Sequence, residues 1–385
     1  MAPRVLVAVL VYNGRPFVPR CLRSAARLRE EQEQVDVLVL DDCSPEPGWS
    51  DELRDLCRSM QIGYYRSPRN LGIPRNMNLA LLQAKARYDH VVIANSDVIF
   101  PSNLVRSLVG VAEVDARIAS VTPWSNSASI YSLPNRDPER NLSDEETVDW
   151  LSETLEASFG RRALDVPSAV GFCMLIPVWA IEKVGLFDPV FRRGYCEEVD
   201  WSQRARSYGY RVVLAPGVFV YHEGFASTRS AGLLRAGEIT VWAHERIVDL
   251  RHPSFRADVD TFLASKALDK MQADATRRII RHAAQSRGYS IEASWLPGRD
   301  VDGTAVRFTV EPDGRRPLVS AQFLGFSTGV DVDGAPVTHA VSSFVGRPPQ
   351  RVGVFDRGHQ ADLLSREAEE AGIELEDRKG YPERI

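Results

Sequence analysis

The chain has 385 residues, of which 44% are hydrophobic and 26% are charged, and its formal net charge is −5. This composition is ordinary for a globular protein and excludes a mostly disordered or collagen-like chain. The acidic surplus lies beyond residue 289, and no basic excess exists that would bind a nucleic-acid backbone, so we expect no nucleic-acid partner.

Targeting and redox signals are weak in this sequence. The longest apolar run near the start is Val5 to Tyr12, far short of the roughly 20 residues that a membrane-spanning helix needs. No basic-then-apolar signal peptide opens the chain, and the five cysteines contain no CxxC pair that would indicate a zinc knuckle. We therefore expect a cytoplasmic protein, or one that is peripheral to the inner face of the membrane.

The first hundred residues alternate short apolar runs with amphipathic stretches. The apolar runs predict four strands: Val5–Val11, Val35–Leu40, Ile62–Tyr65 and His90–Ala94. The stretches between them predict three helices: Pro16–Arg29, Trp49–Met60 and Pro74–Ala86. Continuous Val/Ile/Leu strands between helices are typical of a mostly parallel, Rossmann-like sheet that is covered on both faces. No GxGxxG motif follows the first strand, so dinucleotide binding has no specific support.

The later part of the chain carries weaker patterns. They predict a strand at Val166–Pro177, a helix at Trp201–Tyr208, strands at Arg211–Leu214 and Val218–Tyr221, a largely helical stretch at Gly237–Gln285 and a helix at Gln360–Ala371. Between the last two elements, period-two alternation returns with Gly, Asp and Pro turns, which is typical of strands. We predict three domains: an α/β domain at 1–228, a helical extension at 229–289 and a small β-rich region at 290–385.

Polar residues stand where three of the predicted strands end. They are Tyr12-Asn13-Gly14, Asp41-Asp42-Cys43-Ser44 and Asn95-Ser96-Asp97. Ligands of such sheets bind at the carboxyl ends of the strands, so these carboxylates and amides are expected to meet at one rim.

Seven segments carry a resemblance to a known family. They are VLVAVLVYNGRPFVPRCLRS, VLVLDDCSPEP, RNLGIPRNMNLAL, VVIANSDVIF, VTPWSNSASIYSLP, VGFCMLIPVWAIEKVGLFDPVF and GYCEEVDWSQRARSYGYRVVLAPGVFVYHEG. In this order they resemble the inverting family 2 nucleotide-sugar glycosyltransferases of GT-A fold, and among them the rhamnosyltransferase-like branch. The resemblance covers about residues 3–228 and not the region that follows.

The resemblance implies a divalent metal, Mn²⁺ or Mg²⁺, on the diphosphate of a sugar donor. Asn95-Ser96-Asp97 matches the family's DxD motif, with Asn95 and Ser96 on the donor and Asp97 on the metal. Because Asn95 replaces the first acid, only Asp97 keeps a full charge, which predicts weaker metal binding. The alternative is that Asn95 and Asp97 cap a helix near Pro101. His222 matches a histidine that completes the metal site in many members, and its alternative is a structural role.

Donor contacts are implied for two further segments. Asp41 and Asp42 match a pair that contacts the nucleoside, and their alternative is an Asx turn. Asn70 and Arg75 resemble the next segment, where polar side chains approach the nucleotide; Arg75 would pair with the diphosphate or with Asp42, and the alternative is a solvated helix face.

At the end of the first strand, the sequence departs from the family. Val11 stands where the family often has Thr or Ser. Nucleoside contacts at this position therefore fall to the backbone or to Tyr12.

The catalytic base is implied at Glu197-Glu198, which matches the family's Glu-Asp pair. The second acid is the base in the family, so we expect Glu198 to deprotonate the acceptor hydroxyl. Because Glu is one methylene longer than Asp, Glu197 remains the alternative base. Two acids this close raise the pKa of one of them, whereas the alternative for the pair is a helix N-terminus that favours acids through its dipole.

Together these features predict a metal-dependent inverting glycosyltransferase that uses a UDP- or dTDP-sugar. The acceptor would be a carbohydrate, a lipid-linked molecule or a small-molecule alcohol. The alternative is a non-catalytic nucleotide-sugar-binding protein on a degenerate scaffold, which the loss of one metal acid motivates. A nucleotidylyltransferase fits poorly, because Gly14-Arg15-Pro16 does not match its nucleotide loop. The C-terminal region is expected to contact the acceptor or to form a homo-oligomer.

Overall fold

The computed structural model describes residues 2–31, 34–134, 142, 144–224, 234–294, 306–311, 317–355 and 358–377. The chain divides into two compact units, Met1–Met271 and Gln272–Ile385. The domain boundary that the sequence places after residue 228 lies outside the described residues.

The first unit is built on a sheet of eight strands. They are β1 (Val5–Val11), β2 (Val35–Asp41), β3 (Gly63–Arg66), β4 (His90–Asn95), β6 (Ile118–Trp124), β7 (Leu164–Asp165), β8 (Cys173–Pro177) and β9 (Arg211–Phe219). Their order is β3-β2-β1-β4-β8-β6-β9-β7. Four neighbouring pairs are parallel, and the antiparallel pairs all involve β8 or the edge strand β7.

Nine described α-helices lie entirely within this unit. They are α1 (Val18–Glu31), α2 (Trp49–Ser59), α3 (Ile73–Arg87), α4 (Leu104–Ala112), α5 (Glu145–Phe159), α6 (Val178–Val184), α7 (Glu197–Ser207), α8 (Leu234–Arg251) and α9 (Phe255–Ala264). The apolar side chains of β1 and β4 are buried almost completely, as expected for strands that are covered on both faces. The predicted α/β class, with a mostly parallel sheet, is therefore confirmed.

A two-stranded ribbon joins distant parts of this unit. Strand β5 (Val98–Ile99) pairs antiparallel with β10 (Tyr221–His222), and His222 lies opposite Val98. This register brings His222 beside the residue that precedes β5, which is Asp97.

Three sequence predictions differ from the structure. The strand predicted at Val166–Pro177 is confined to Cys173–Pro177, because Pro167 and Gly171 interrupt its first half. The strands predicted at Arg211–Leu214 and Val218–Tyr221 form one continuous strand to Phe219, followed by β10. The helix predicted at Trp201–Tyr208 begins four residues earlier, at Glu197.

The second unit contains a sheet of six strands. They are β11 (Tyr289–Ala293), β12 (Val306–Val310), β13 (Val319–Phe323), β14 (Phe326–Val330), β15 (Arg351–Val354) and β16 (Glu374–Asp377), in the order β14-β13-β12-β11-β15-β16. Helix α10 (Ala267–Arg287) crosses the division between the units, and α11 (Val337–Val345) and α12 (His359–Ala371) lie within the second. The predicted β-rich C-terminal region is confirmed, and α12 matches its predicted bounds to within one residue.

Across the described residues of both units, no helix combines the length and the hydrophobicity that crossing a bilayer would require.

Candidate functional site

Asp41 ends β2 with all of its acceptor capacity used inside the protein. Its Oδ1 accepts hydrogen bonds from the backbone N–H and the hydroxyl of Ser44, at 2.9 and 2.7 Å. Its Oδ2 accepts hydrogen bonds from the hydroxyls of Ser50 and Tyr64, at 3.0 and 2.8 Å, and Arg66 lies 3.4 Å away. A carboxylate offers about four lone-pair positions, so groups of the protein itself occupy those of Asp41. We call Asp41 and Asp42, with the segments that they hold, the donor wall; the predicted nucleoside contact of this pair stays a prediction.

Asp42 holds the start of helix α3. Its two oxygens accept hydrogen bonds from the backbone N–H groups of Leu71 and Gly72, at 2.6 and 2.9 Å. Asn70 Oδ1 also accepts a hydrogen bond from the Gly72 N–H, at 3.1 Å. Burial raises the pKa of Asp42 above its ordinary value, although the two backbone donors oppose this shift.

Gly72 fits tightly against a loop that lies 120 residues further along the chain. Its φ is +79°, and a Cβ at this position would collide with the backbone carbonyl of Arg192. The same two segments also approach closely at Gly194, where an added Cβ would lie 2.7 Å from Ile73 Cδ1. Only glycine fits both positions, so the segment that Asp42 anchors interlocks with the loop at 192–194.

The remaining predicted donor residues surround this wall. Arg75 is exposed, and among the described residues it has no hydrogen bond or ion pair, so it does not contact Asp42. Asn70 is exposed, Tyr12 is half-buried and Ser96 is buried. The structure therefore separates two groups: Asp41 and Asp42, which are fixed within the protein, and side chains that retain free polar atoms.

Asp97 follows β4 with a carboxylate that is buried but not hydrogen-bonded. The residue is 4% exposed, and among the described residues neither oxygen has a hydrogen-bond partner. It does not cap a helix, because α4 begins at Leu104 with Asn103 at the N-cap position. An ionisable group left this way is costly unless something else satisfies it, which favours a ligand role over the structural alternative.

His222 faces Asp97 across the ribbon. Its Nε2 lies 3.3 Å from Asp97 Oδ1 and 3.5 Å from Asn95 Nδ2. Its Nδ1 lies 2.8 Å from the carbonyl oxygen of Ser127, so Nδ1 carries a hydrogen and donates it. Burial lowers the pKa of His222. Asp97 and the Ser127 carbonyl raise it by more than burial lowers it, so the net pKa lies above the ordinary value.

Two residues that sequence reasoning missed fix His222 in place. Asn126 makes a reciprocal pair of hydrogen bonds with the His222 backbone, at 2.8 and 2.9 Å. The ring of Phe172 stacks on the imidazole with centroids 5.2 Å apart. Asn126 lies in a Ser-rich stretch that resembles an ordinary turn, so no local signal distinguishes it.

Asp97, His222 and Asn95, which we call the metal corner, fit a hard divalent cation. The buried carboxylate of Asp97, whose oxygens accept no hydrogen bond from the described residues, suits Mg²⁺ or Mn²⁺. His222 Nε2, now 3.3 Å from Asp97 Oδ1, would join it as a ligand once the imidazole is neutral, because Nδ1 donates to a carbonyl. Within the described residues no cluster of three or more His, Cys, Asp or Glu side chains could hold a metal. The remaining ligands would therefore have to come from the Asn95 amide, from water or from phosphate oxygens.

Glu197 and Glu198 open helix α7, where Glu197 is buried and Glu198 is half-buried. Among the described residues, Oε2 of each has no hydrogen-bond partner. Burial raises the pKa of Glu198 to about 7. Burial raises the pKa of Glu197 well above its ordinary value as well, with a further increase from the charge of Glu198. A helix N-terminus alone would lower the pKa of both acids, so the dipole alternative does not explain their environment.

The loop before the acid pair has an unusual backbone. Gly194, Tyr195 and Cys196 have φ values of +100°, +68° and +73°, so three consecutive residues are left-handed. Non-glycine residues adopt this conformation at a cost and keep it only where the surroundings enforce it, which is common at functional sites.

Two consecutive residues connect the acid pair with the Asp97–His222 corner. A Cβ at Gly171 would lie 3.9 Å from Glu197 Oε1 and 3.9 Å from Glu198 Cδ. The next residue, Phe172, stacks on His222. Consecutive Cα atoms are only about 3.8 Å apart, so the acids and the candidate metal corner border the same small region.

Comparison with known proteins gives a family match for the first half of the chain. The family model described as "Glycosyl transferase family 2" matches residues 6–184, which is just under half of the chain and ends before the acid pair and His222. No curated protein gives a significant match.

Several solved structures are loosely similar to the chain. The mannosyltransferase PcManGT from Pyrobaculum calidifontis, solved with GDP-Man and Mn²⁺, is 18% identical with a TM-score of 0.47, over 74% of this chain and 76% of that one. TarS 1-349 from S. aureus, solved with UDP, is 14% identical with a TM-score of 0.41, over 72% and 80%. GalNAc-T7, solved with UDP, GalNAc and Mn²⁺, is 14% identical with a TM-score of 0.42, over 57% of this chain and 44% of that one. This chain thus spans less than half of the GalNAc-T7 chain.

All three TM-scores lie below 0.5. The sequence match covers strands β1 to β8 and helix α6, a region that contains Asp41, Asp42 and Asp97. Residues 6–184 are therefore similar to glycosyl transferase family 2, and Glu197, Glu198 and His222 lie outside this match.

Proposed function

We propose that this protein transfers a sugar from a UDP- or dTDP-linked donor to an acceptor hydroxyl in one metal-dependent displacement that inverts the anomeric centre. The acceptor is an alcohol of a carbohydrate, a lipid-linked molecule or a small molecule. The observation that carries the proposal is the closeness of Gly171 to the acid pair, where an added Cβ would lie 3.9 Å from each carboxylate, next to the stacking of Phe172 on His222. It supports a cleft that a base and a cation site share.

In this proposal, Asp97 and His222 hold the divalent ion. When bound, the metal offsets the negative charge that develops on the departing diphosphate. The hydrogen bond from Nδ1 to Ser127 keeps Nε2 directed towards Asp97, and the backbone clamp of Asn126 prevents the ribbon from shifting. Asn95 offers an amide oxygen instead of a carboxylate, so the nucleotide's own phosphates supply more of the binding than they would beside two acids.

Glu198 acts as the general base. Its raised pKa, about 7, leaves a substantial ionised fraction near neutral pH and makes the carboxylate a better proton acceptor than an ordinary one. Burial and the charge of Glu198 both raise the pKa of Glu197, so an ionised Glu198 favours the protonated form of Glu197. As the acceptor oxygen bonds to the anomeric carbon, the bond to the diphosphate oxygen breaks, the proton passes to Glu198 and the nucleoside diphosphate leaves.

Two sets of residues bind the donor in this proposal: one shapes the donor wall, and the other contacts the nucleotide. Asp41 and Asp42 shape it through their bonds to the backbone and to Ser44, Ser50 and Tyr64. The nucleotide is contacted by residues that keep free polar atoms: Tyr12, Asn70, Arg75, Asn95 and Ser96.

The test measures nucleotide release from a panel of UDP-, dTDP- and GDP-sugars with Mn²⁺ present. Asp97→Ala should abolish release, because it removes the only full negative charge at the metal corner. Glu198→Gln should lower the transfer rate by roughly 10²–10⁴-fold while donor binding, measured by calorimetry, stays within about twofold. Asp165→Asn, which removes an exposed carboxylate paired with Arg211, is the matched control and should leave both quantities unchanged.

Each other outcome has a defined meaning. Donor binding without turnover for every donor and acceptor tested would favour the non-catalytic alternative. Full activity of Glu198→Gln together with an inactive Glu197→Gln would move the base to Glu197. Release that is unaffected by Asp97→Ala would remove the metal corner from the mechanism.

A further inference from the structure

Helix α8 lies beyond the residues that match the family, yet it touches the loop that carries the acid pair. His244 on this helix is 4% exposed. Its Nδ1 lies 3.0 Å from the carbonyl oxygen of Gly194 and 3.2 Å from that of Tyr195. Both partners are acceptors, so Nδ1 must carry the hydrogen and donate it to this pair of carbonyls.

The loop before α7 has a strained backbone that a hydrogen-bond donor such as His244 can hold in place. Gly194 and Tyr195 belong to the left-handed stretch and precede the first residue of helix α7, Glu197. A strained backbone relaxes unless neighbouring groups hold it. The Phe191 ring packs edge-on against the His244 imidazole, with centroids 5.4 Å apart, and this contact fixes the ring plane.

The same helix also holds α7 on the other side of the acids. Asp200 is 1% exposed and accepts hydrogen bonds from His252 at 3.0 Å and from Arg251 at 3.2 Å, both at the end of α8, as well as from Arg204 at 3.0 Å. Glu197 and Glu198 therefore lie between two attachments to α8, one before them in sequence and one after.

We infer that His244 is a positioning residue for the acid pair: its Nδ1–H holds the carbonyls of Gly194 and Tyr195 and thereby keeps Glu197 and Glu198 directed into the cleft and away from water. The inference rests on the proposed function, because it treats the pair as the base of the transfer reaction. It gives helix α8 a role in the site that neither its sequence pattern nor the family match indicates.

The expected effect of losing this contact follows from the burial of the pair. If the loop relaxes, water reaches the carboxylates, and the pKa of Glu198 falls towards its ordinary value. The other charged or titratable groups near the start of α7 are Cys196, Glu245 on α8 and Arg256 on α9. The charge of Glu245 raises the pKa of the Cys196 thiol, and the charge of Arg256 lowers it. They remain in place when only His244 is changed.

The experiment compares His244→Leu, which keeps apolar volume but removes the donor, with His244→Asn, whose side-chain N–H can take the place of Nδ1–H. The full-length protein is labelled with ¹³C at the glutamate carboxyl carbons and titrated by NMR without donor, acceptor or metal. Glu198→Gln and Glu197→Gln identify the two signals. Val248→Ala, a buried truncation one turn further along α8, is the control for loosened packing.

The wild type and Val248→Ala should show a glutamate that titrates near pH 7. His244→Leu should move this midpoint down by about one unit or more, and His244→Asn should restore most of the shift. In nucleotide release, His244→Leu should lower kcat by roughly tenfold or more with the donor KM within about twofold, because within the described residues Asp41 and Asp42 hydrogen-bond to no residue of α8.

An unmoved midpoint in a folded His244→Leu overturns the inference, and so does an equal shift in Val248→Ala. If His244→Leu does not fold, Phe191→Leu loosens the same ring, and an unmoved midpoint there overturns it as well. The titration needs no substrate. A wild type that releases no nucleotide from any donor would therefore refute the proposed function and leave the positioning result readable.

Discussion

Glu197 and Glu198 illustrate how one residue pair can be unfavourable for folding and useful for chemistry. One oxygen of each carboxylate, Oε2, is buried and lacks a hydrogen-bond partner within the described residues. The folded state therefore favours the protonated form, in contrast to the unfolded chain, where the pKa is ordinary. Functional sites often retain such costs.

Glu198→Gln is expected to stabilise the protein, and the gain should increase with pH. Below about pH 4.5, the ordinary value, the carboxyl is protonated in both states. As the pH rises from there to about 7, the unfolded chain ionises first and the folded state loses stability; above about 7 the loss is constant. Glutamine does not ionise, so the variant should gain roughly 1–3 kcal/mol at pH 8.

Urea unfolding at pH 5.5 and pH 8 measures this effect. Glu153→Gln, at an exposed position on α5, is the control and should show no pH-dependent gain. Equal unfolding free energies of wild type and Glu198→Gln at pH 8 would contradict the buried, unpartnered environment of Glu198.

Asn95→Asp is expected to tighten metal binding, because it adds a second negative charge beside Asp97 and His222. Charge count at oxygen ligands sets the affinity for hard cations, so the dissociation constant for Mn²⁺ should fall by roughly 3- to 30-fold. Electron paramagnetic resonance of free Mn²⁺ gives the constant directly. Asn70→Asp adds the same charge on the donor wall and should change it little; an equal gain in both variants would mean that Asn95 is not at the metal corner.

At the scale of elements, the interlock of α3 with the loop at 192–194 connects the donor wall with the acid pair. Asp42 holds the N–H of Gly72, Gly72 packs against Arg192, and the loop continues to Glu197. Backbone contacts of this kind do not tolerate added atoms, because neither side can move independently.

Gly72→Ala is expected to destabilise the first unit far more than Gly209→Ala. Both residues are left-handed, with φ of +79° and +81°, and this alone costs about 1 kcal/mol for alanine. Only at Gly72 would the new Cβ also collide with a backbone carbonyl, whereas Gly209 has open space around it. Chemical unfolding of the two variants measures the difference, and similar losses would show that the interlock is not rigid.

The sequence predicts the elements of this fold well where burial alone decides them. The strand at Val5–Val11 is predicted at its observed bounds, because a strand that is covered on both faces reads as a continuous apolar run. The strand predicted at Val166–Pro177 is longer than the observed strand at Cys173–Pro177. The residues before Cys173 are also largely apolar, so their composition resembles that of a strand. Apolarity shows that a segment is buried, and it does not show whether its backbone pairs.

The site is predicted less completely, for a physical reason. Asp97 and His222 match short motifs, and the structure brings them to 3.3 Å. Asn126 and His244 act through the backbone of partners 96 and about 50 residues away, respectively. Their roles depend only on tertiary packing, so no local pattern of residues marks them.

At the scale of the whole molecule, all of the site residues lie in the first unit, whereas the second unit has its own sheet and core. Two such units predict two unfolding steps in calorimetry. UDP with Mn²⁺ should raise only the step of the first unit, by about 2.7 kcal/mol at a hundredfold excess over the dissociation constant.

Phe308→Leu identifies the second step, because Phe308 is fully buried in the core of the second unit. The substitution should lower that step alone, by about 1–2 kcal/mol. If the step that Phe308→Leu lowers is also the one that the nucleotide raises, the nucleotide site involves the second unit.

Because Gly171 has no side chain beside the acid pair, selecting variants of this protein by thermal stability alone would miss a change at this position. Its φ lies outside the left-handed range, and the nearest atom to an added Cβ is Met77 Cε at 3.5 Å, an ordinary contact. Gly171→Ala should therefore leave the melting temperature in a thermal-shift assay unchanged, while the new methyl group lies beside Glu197 and Glu198 and, under the proposed function, lowers turnover. A screen by melting temperature alone would then accept a variant whose nucleotide release is impaired.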